Sequence, residues 1–236
     1  MGLRCLFHIH TKFSFDSLLS PRKIVSKARE LRADVLIVTD HETMRGSEEV
    51  AGLADGNPRY IIQAGEYRTE KGDLIGLFLK KEILSRESSE VIRETHQQGG
   101  LVVLPHPYKG HTLDPMLLEQ MDLIESFNAR CSPSENKFAV ELARKFNKPI
   151  LGGCDAHCAA EIGTAITEFS TSPPADEGEL RDAMLTALRE VQAHAVSSVY
   201  QPYSQVIKAC KTRNAILFLS QAKRMASVLA MEIMSR

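Results

Sequence analysis

At 236 residues, with 43% hydrophobic and 25% charged residues and a formal net charge of −1, the chain is long enough to bury a core without disulfides, and no global charge draws it to nucleic acid or membrane. Five scattered cysteines without CxxC spacing argue against a disulfide framework or a structural zinc knuckle. The start lacks a secretory pattern and no apolar run approaches the roughly 20 residues of a membrane span, so the expected compartment is a reducing cytoplasm, with no membrane partner.

Residues 3–9 read as a buried strand. Ser20-Pro21 marks a helix start, and Ile24, Val25, Ala28 and Leu31 supply that helix with an apolar stripe. Residues 34–39 (DVLIVT) are a β-branched run of the kind buried on both faces in parallel sheets. Tyr60-Ile61-Ile62 leads to Gly65-Glu66, residues 74–79 (LIGLFL) are a further apolar run, and residues 87–98 read as a helix stopped by Gly99-Gly100. Residues 101–104 form a strand ending in Pro105-His106-Pro107, and residues 121–127 approach Asn128-Ala129-Arg130. Residues 135–146 are helical with Phe138, Leu142 and Phe146 in register, and residues 149–152 make a last inner strand. Repeated strand–helix units point to an α/β barrel or a doubly wound sheet, and six or seven units favour the barrel.

After Thr171 the texture changes. Ser172-Pro173-Pro174 punctuates the chain, Leu180, Met184, Leu188 and Val191 begin a helical stripe, and Phe218, Ala222, Met225 and Leu229 continue it. The expected organisation is a barrel core over 1–171 with helices of 172–236 packed on it. This last part is basic, with Lys208, Lys211, Arg213, Lys223, Arg224 and Arg236 against Glu232.

The polar residues fall at strand ends. His8 and His10 flank Ile9, Asp155 and His157 flank Ala156, and residues i and i+2 of an extended strand share a face, so each pair can grip an ion. Asp40-His41, Glu66 and His106 also lie at or just after the ends of apolar runs, and in a (β/α) barrel those ends meet on one face. Imidazole with carboxylate suits Zn²⁺, Mn²⁺ or Fe, with Mg²⁺ admissible, and this many donors fits two or three divalent ions. Arg45, Lys109 and Arg130 follow these clusters, as phosphate clamps or as solvated loop charges. His111, near His106, is a candidate substrate contact; His96 and His194, inside helices, read as surface residues.

The segments FHIHTKFSFDS, VTDHETMRG, GEYRTEKGD, LPHP and DAHCAAEIG, in that order, resemble the PHP (polymerase and histidinol phosphatase) domain over about residues 3–170. The resemblance implies a distorted (β/α)7 barrel and a metal-dependent phosphoesterase. It implies that His8, His10, Glu66 and Asp155 hold one ion, Glu66 and His106 a second, and Asp16, His41 and His157 a third. Relatives place a further histidine after the bridging carboxylate; here Gly72-Asp73 stands instead, leaving Asp73 as the candidate. Cys154 precedes Asp155 where a serine often stands, and strand alternation turns it away from the metals as a packing residue.

The expected reaction is hydrolysis of a small phosphorylated substrate, a phosphomonoester or nucleotide, by a metal-activated water, with Asp40, His41 and Asp16 as candidates to orient the nucleophile or protonate the leaving group. The alternatives are trimming of RNA or DNA ends, for which the basic tail speaks, and a catalytically silent metal-binding module.

Overall fold

The computed structural model describes residues 2–234, so Arg236 of the basic tail lies outside the described residues. Ten strands and eight helices follow in the order β1 (Leu3–Leu6), α1 (Pro21–Glu30), β2 (Val35–Ile37), α2 (Arg45–Ala54), β3 (Tyr60–Ile62), β4 (Ala64–Thr69), β5 (Gly72–Leu77), α3 (Ser88–Gln97) and β6 (Leu101–Leu104). Then come α4 (Pro115–Gln120), β7 (Leu123–Asn128), α5 (Pro133–Lys145), β8 (Ile150–Gly153), β9 (Ala165–Phe169), α6 (Glu177–Thr186), β10 (Arg189–Ala193), α7 (Tyr200–Lys211) and α8 (Ala215–Met234). Local chemistry sets several boundaries. The Ser20 hydroxyl accepts from Lys23 N ahead of Pro21, and Ser132 with Glu135 forms a reciprocal capping box at the start of α5.

The strands form two five-stranded sheets, β10-β9-β1-β2-β3 and β4-β5-β6-β7-β8. Period-two alternation explains why β2 (VLI) and β6 (LVVL) are apolar throughout. Cys5, Phe7, Val35, Ile37, Val103 and Leu151 point into a core shared by the two sheets. Leu6, Leu36 and Val38 point outward under α1 and α2, and Val102, Leu104 and Ile124 point outward under α3, α4 and α5. Inner strands such as β2 and β6 are thus buried on both faces, with helices as the outer layers, whereas the edge strand β10 has no buried residue.

Three features depart from the sequence reading. A single closed ladder is not formed: the sheets meet at two seams through the isolated parallel bridges Ile9–Ala156 and His41–Glu66. The repeat is not uniform either, because β4, β5 and β6 follow one another antiparallel, so the LIGLFL run is the return arm of a hairpin. Finally, the stripe begun by Leu180 and Met184 stops with α6, and Val191 lies in β10, antiparallel to β9 at the sheet edge. Leu188 is 80% exposed between them. In α5, Ala139, Leu142 and Ala143 face inward, while Phe138 turns out against Tyr108.

Candidate metal centre

The two seams assemble the centre. At the first, His10 N donates to Ala156 O (2.8 Å) and Ala156 N to His8 O (3.1 Å), which locks His8-Ile9-His10 beside Asp155-Ala156-His157. Ile9 and Ala156 point into the outer core, and the flanking side chains point into the centre. At the second, Glu66 N donates to Asp40 O (3.0 Å) and Glu42 N to Glu66 O (2.8 Å), bringing His41 against Glu66. The His8–His10 alternation is not that of a plain strand: β1 ends at Leu6, and His8, His106 and Asp155 all have left-handed backbones, at φ 64°, 27° and 47°. Non-glycine residues there carry strain of order 1–3 kcal/mol each, a feature concentrated at functional sites.

The side chains converge closely. His10 Nε2 lies 3.5 Å from both Glu66 Oε2 and Asp155 Oδ1, His8 Nε2 lies 3.5 Å from Glu66 Oε2, and His41 Nδ1 3.1 Å from that same oxygen. His106 Nε2 is 3.2 Å from Glu66 Oε1, and Asp16 Oδ2 is 3.2 Å from His157 Nε2 and 3.5 Å from His41 Nε2. Donor atoms fall into three overlapping groups: His8, His10 and Asp155; His8, Glu66 and His106; and His10, His41 and His157.

Partners fix the tautomers. His8 Nδ1 faces Glu125 Oε1 at 2.7 Å and His157 Nδ1 faces the Asp155 carbonyl at 2.9 Å, both acceptors, so each Nδ1 carries the proton. Ser14 gives its only hydroxyl hydrogen to Asp40 Oδ1 (2.5 Å), so His10 Nδ1 must donate to Ser14 Oγ (3.3 Å). In all three rings the anchored Nδ1 leaves Nε2 as the nitrogen that can ligate a metal once deprotonated, the arrangement of a metal-binding imidazole with its other nitrogen held. His8 Nε2, His10 Nε2, Glu66 Oε2, Asp16 Oδ1 and His106 Nδ1 are buried without any hydrogen-bond partner. Orphaned groups of this kind cost about 1–3 kcal/mol each, and divalent cations are what this mixture of imidazole and carboxylate would satisfy. The residues present therefore fit divalent ions.

Burial opposes charge on His8, yet Glu125, Glu66 and Asp155 together outweigh it and hold its pKa well above 6.5. His41 behaves likewise, burial being overcome by Glu66 and Asp16. Burial, reinforced by His157 and His41, pushes His10 down to about 3. Raised histidine values stabilise the ion-free fold fully below the unfolded pKa of about 6.5, and this contribution is lost as pH rises through the folded values. Metal instead requires deprotonated ligands. Chelated protein should therefore lose thermal stability as pH rises above about 6.5, and saturating Mn²⁺ should remove that loss; a melting temperature in chelator that does not fall with rising pH contradicts it.

Several candidates stand elsewhere than expected. Asp40 is fully buried and accepts from Thr11 N (2.6 Å), Thr11 Oγ1 (2.6 Å) and Ser14 Oγ. It is held away from any substrate and acts as a positioning residue for His10 and His41, whose backbone N also donates to Ser14 Oγ (3.0 Å). Arg45 is exposed on α2 and stacks over Phe13, 4.3 Å from its ring centre, so it does not clamp phosphate. Arg130 borders the site but gives Nε and Nη2 to Glu161 (2.6 and 2.9 Å), Nη1 to Ser204 (3.0 Å) and Nη2 also to the Tyr200 carbonyl (3.3 Å). It is a strut rather than a free clamp. Lys109 remains near the centre, Nζ 3.8 Å from Asp155 Oδ2. Cys154 is buried and gives its thiol to Ala165 O. His96 pairs with Asp122 at 2.7 Å and His194 is exposed.

Glu125 was missed from the sequence. Almost fully buried, it accepts from His8, from His106 N (2.6 Å) and from Asn128 Nδ2 (3.0 Å), anchoring two ligands at once. Its signal was a lone carboxylate inside an apolar strand, LIESF. Gly153 makes room for it, since a Cβ there would overlap Glu125 Oε1. Gly153→Ala should weaken metal affinity about 10–100-fold, as loss of an outer partner does, with isothermal titration by Mn²⁺ as the measurement and unchanged affinity as the contrary result.

The centre floors a cavity of about 370 Å³. Phe15 stacks on His41 at 4.5 Å and 7°, Lys208 Nζ sits 4.4 Å above the Phe15 ring, and Gln201, Gln205 and Lys208 of α7 line the cavity together with Arg68 and Lys109. Lys211 fastens this helix, donating to the carbonyls of Lys12 (2.8 Å), Ser14 (2.7 Å) and Ser17 (2.7 Å) in the loop that carries Asp16. Among the described residues no helix is long and apolar enough to cross a membrane.

A family model described as PHP-associated matches residues 133–192. An uncharacterized protein of Methanocaldococcus jannaschii is 36% identical over 138 residues, spanning 52% of this chain and 80% of that protein. A second uncharacterized protein of the same organism is 30% identical over 175 residues, 69% of each. Among solved structures, a two-domain Bacteroides vulgatus protein containing a predicted PHP-like metal-dependent phosphoesterase matches with a TM-score of 0.70 at 19% identity, covering 86% of this chain and 69% of that one.

Proposed function

The chain belongs to the PHP domain family, and on that premise we propose that it is a metal-dependent phosphoesterase acting on a small phosphorylated substrate with two or three divalent ions. One observation carries the reading: unpartnered, buried imidazole and carboxylate atoms converge at the floor of a cavity bordered by Arg68, Lys109 and Lys208. The floor suits metal ions and the rim suits an anion.

Divalent ions held by His8, His10, His41, Glu66, His106, Asp155, Asp16 and His157 supply Lewis acidity toward a phosphoryl oxygen and acidify a water molecule. The chain's own residues do the rest. Lys109 and Lys208 offer ammonium charge to phosphate oxygens, and Arg68, on the exposed side, offers its planar fork. Asp16, whose carboxyl is raised by burial but held well below the usual range by His157 and His41, is placed to orient the attacking water through its unpartnered Oδ1, and His41 Nε2, beside Asp16 Oδ2, to give a proton to the leaving oxygen. Phe15, stacked on His41, keeps bulk water from that ring.

A hydrolysis screen over phosphomonoesters, nucleotides and short oligonucleotides, with Mn²⁺, Zn²⁺ and Mg²⁺ varied, tests the reading. Turnover of at least one phosphomonoester or nucleotide, abolished by chelation, is expected. Metal-loaded protein inert toward all of them overturns it, and turnover of oligonucleotides alone moves the substrate to nucleic acid ends.

A further inference from the structure

His111 lies in the loop between β6 and α4, its ring centre 5.5 Å from that of His106. Both ring nitrogens are shut off from solvent, and neither has a hydrogen-bond partner of good geometry. The Pro105 carbonyl interacts with the ring from outside that geometry, and the Glu66 carboxylate acts on it electrostatically. An imidazole enclosed in this way loses its hydration and recovers little in exchange.

The enclosure is specific to this ring. Gly72, at the β4–β5 turn, has φ +117°, a conformation that side chains rarely adopt, and a Cβ there would overlap His111 Nδ1. Thr112 N donates to Lys71 O (2.8 Å), tying the His111 loop to the same turn. Two separate segments thus hold the ring beside His106, whose Nε2 faces Glu66 Oε1 at 3.2 Å and whose Nδ1 is unpartnered. Asp73, next in sequence, is turned toward Arg68 (3.5 Å) instead.

We infer that His111 is a metal ligand, joining Glu66 and His106 around an ion on the β4–β6 side of the centre. A ligating imidazole holds one N–H on a carbonyl or carboxylate and offers the other nitrogen; Pro105 is the carbonyl in place for that. His8, Glu66 and His106 already converge there, with His8 shared with the neighbouring donor group, and His111 stands just beyond them, so that a turn of its ring would bring it to the ion. The inference rests on the centre being a divalent-metal site, but not on what it hydrolyses.

The test counts ions. Purified full-length protein loaded with Mn²⁺ and freed of excess by gel filtration is assayed for metal content, beside His111→Phe, which keeps the ring volume without a donor, and Gly72→Ala, which evicts the ring without removing any donor. Both variants should lose about one ion per chain, or bind their weakest ion about 100-fold less tightly, while circular dichroism remains that of the wild type. Folded variants with unchanged content and affinity overturn the inference. If the variants do not fold, nitrogen-15 histidine spectra of the wild type decide: the His111 ring nitrogens, assigned by correlation to their own backbone, must show the large shift of a coordinated nitrogen on addition of Zn²⁺, and a stationary resonance overturns the assignment. A protein that loads this ion yet cleaves no phosphoester keeps the inference and loses the activity proposed above.

Discussion

His10→Ala is expected to reduce metal-dependent turnover by about 10³-fold or more, equivalent to roughly 4 kcal/mol of transition-state stabilisation, while leaving a folded protein. His10 is the hub of the centre. Its ring lies 4.4 Å from that of His41 and 4.2 Å from that of His157, and its Nε2 is equidistant, at 3.5 Å, from Glu66 and Asp155. Removing it takes a donor from two of the three donor groups. The fold should persist because the seam beside it is held by backbone bonds, His10 N to Ala156 O and Ala156 N to His8 O, which alanine keeps. Steady-state rates at saturating Mn²⁺, read beside thermal melts, check both halves. Undiminished turnover in a correctly folded variant would exclude the centre as the seat of the activity.

Arg130→Ala carries the largest expected loss of stability, about 3 kcal/mol. The Arg130–Glu161 pair is 4% and 0% exposed and bidentate, and removing one partner of a buried pair leaves an uncompensated charge. Glu161 retains two backbone donors, His157 N (2.9 Å) and Cys158 N (3.0 Å), which keeps the loss toward the lower end of the usual 3–5 kcal/mol. Ser204 and the Tyr200 carbonyl, both on α7, lose their donor as well, so the cavity wall loosens. Arg130→Lys should restore little, since an ammonium cannot reproduce the fork. Urea denaturation measures this; a shift below about 1 kcal/mol would show that the pair is not the strut described.

The candidate ligands were legible as a cluster because chemistry interrupts hydrophobicity. His8, His10, His106, Asp155 and His157 each break or close an apolar run, and a buried strand end has few other uses for such residues. Strands β2 and β6 were legible from their unbroken Val, Ile and Leu content, which demands burial on both faces, whereas β9 and β10 carry no such run. What stayed hidden depends on direction rather than composition. Asp40 follows its strand as a ligand would, but the loop from Thr11 to Ser14 folds over it and takes both oxygens. Arg45 begins a helix whose next residues, Gly46 and Ser47, face inward and leave Arg45 on the outer side, a rotation that spacing does not fix. Glu125 looked like an ordinary strand residue because its partners, His8 and His106, are remote in sequence. The LIGLFL run satisfies a strand in either orientation, and only pairing with β4 and β6 decides that it is antiparallel. Beyond Thr171, Leu188 and Val191 fitted a helical stripe by spacing alone, whereas β9 offered an edge that captured Val191 as a strand.

The Lys211 contact has a consequence for how the protein comes into being. Its ammonium reaches carbonyls 194 to 199 positions earlier in the chain, in the loop that presents Asp16. A nascent chain carries His8 and His10 from its first moments, but the clasp that sets Asp16 has to wait until α7 has emerged from the ribosome. Loop closures of that span are formed late and slowly. The placing of Asp16 is therefore a long-range event that depends on α7, whereas the juxtaposition of His8 and His10 is local.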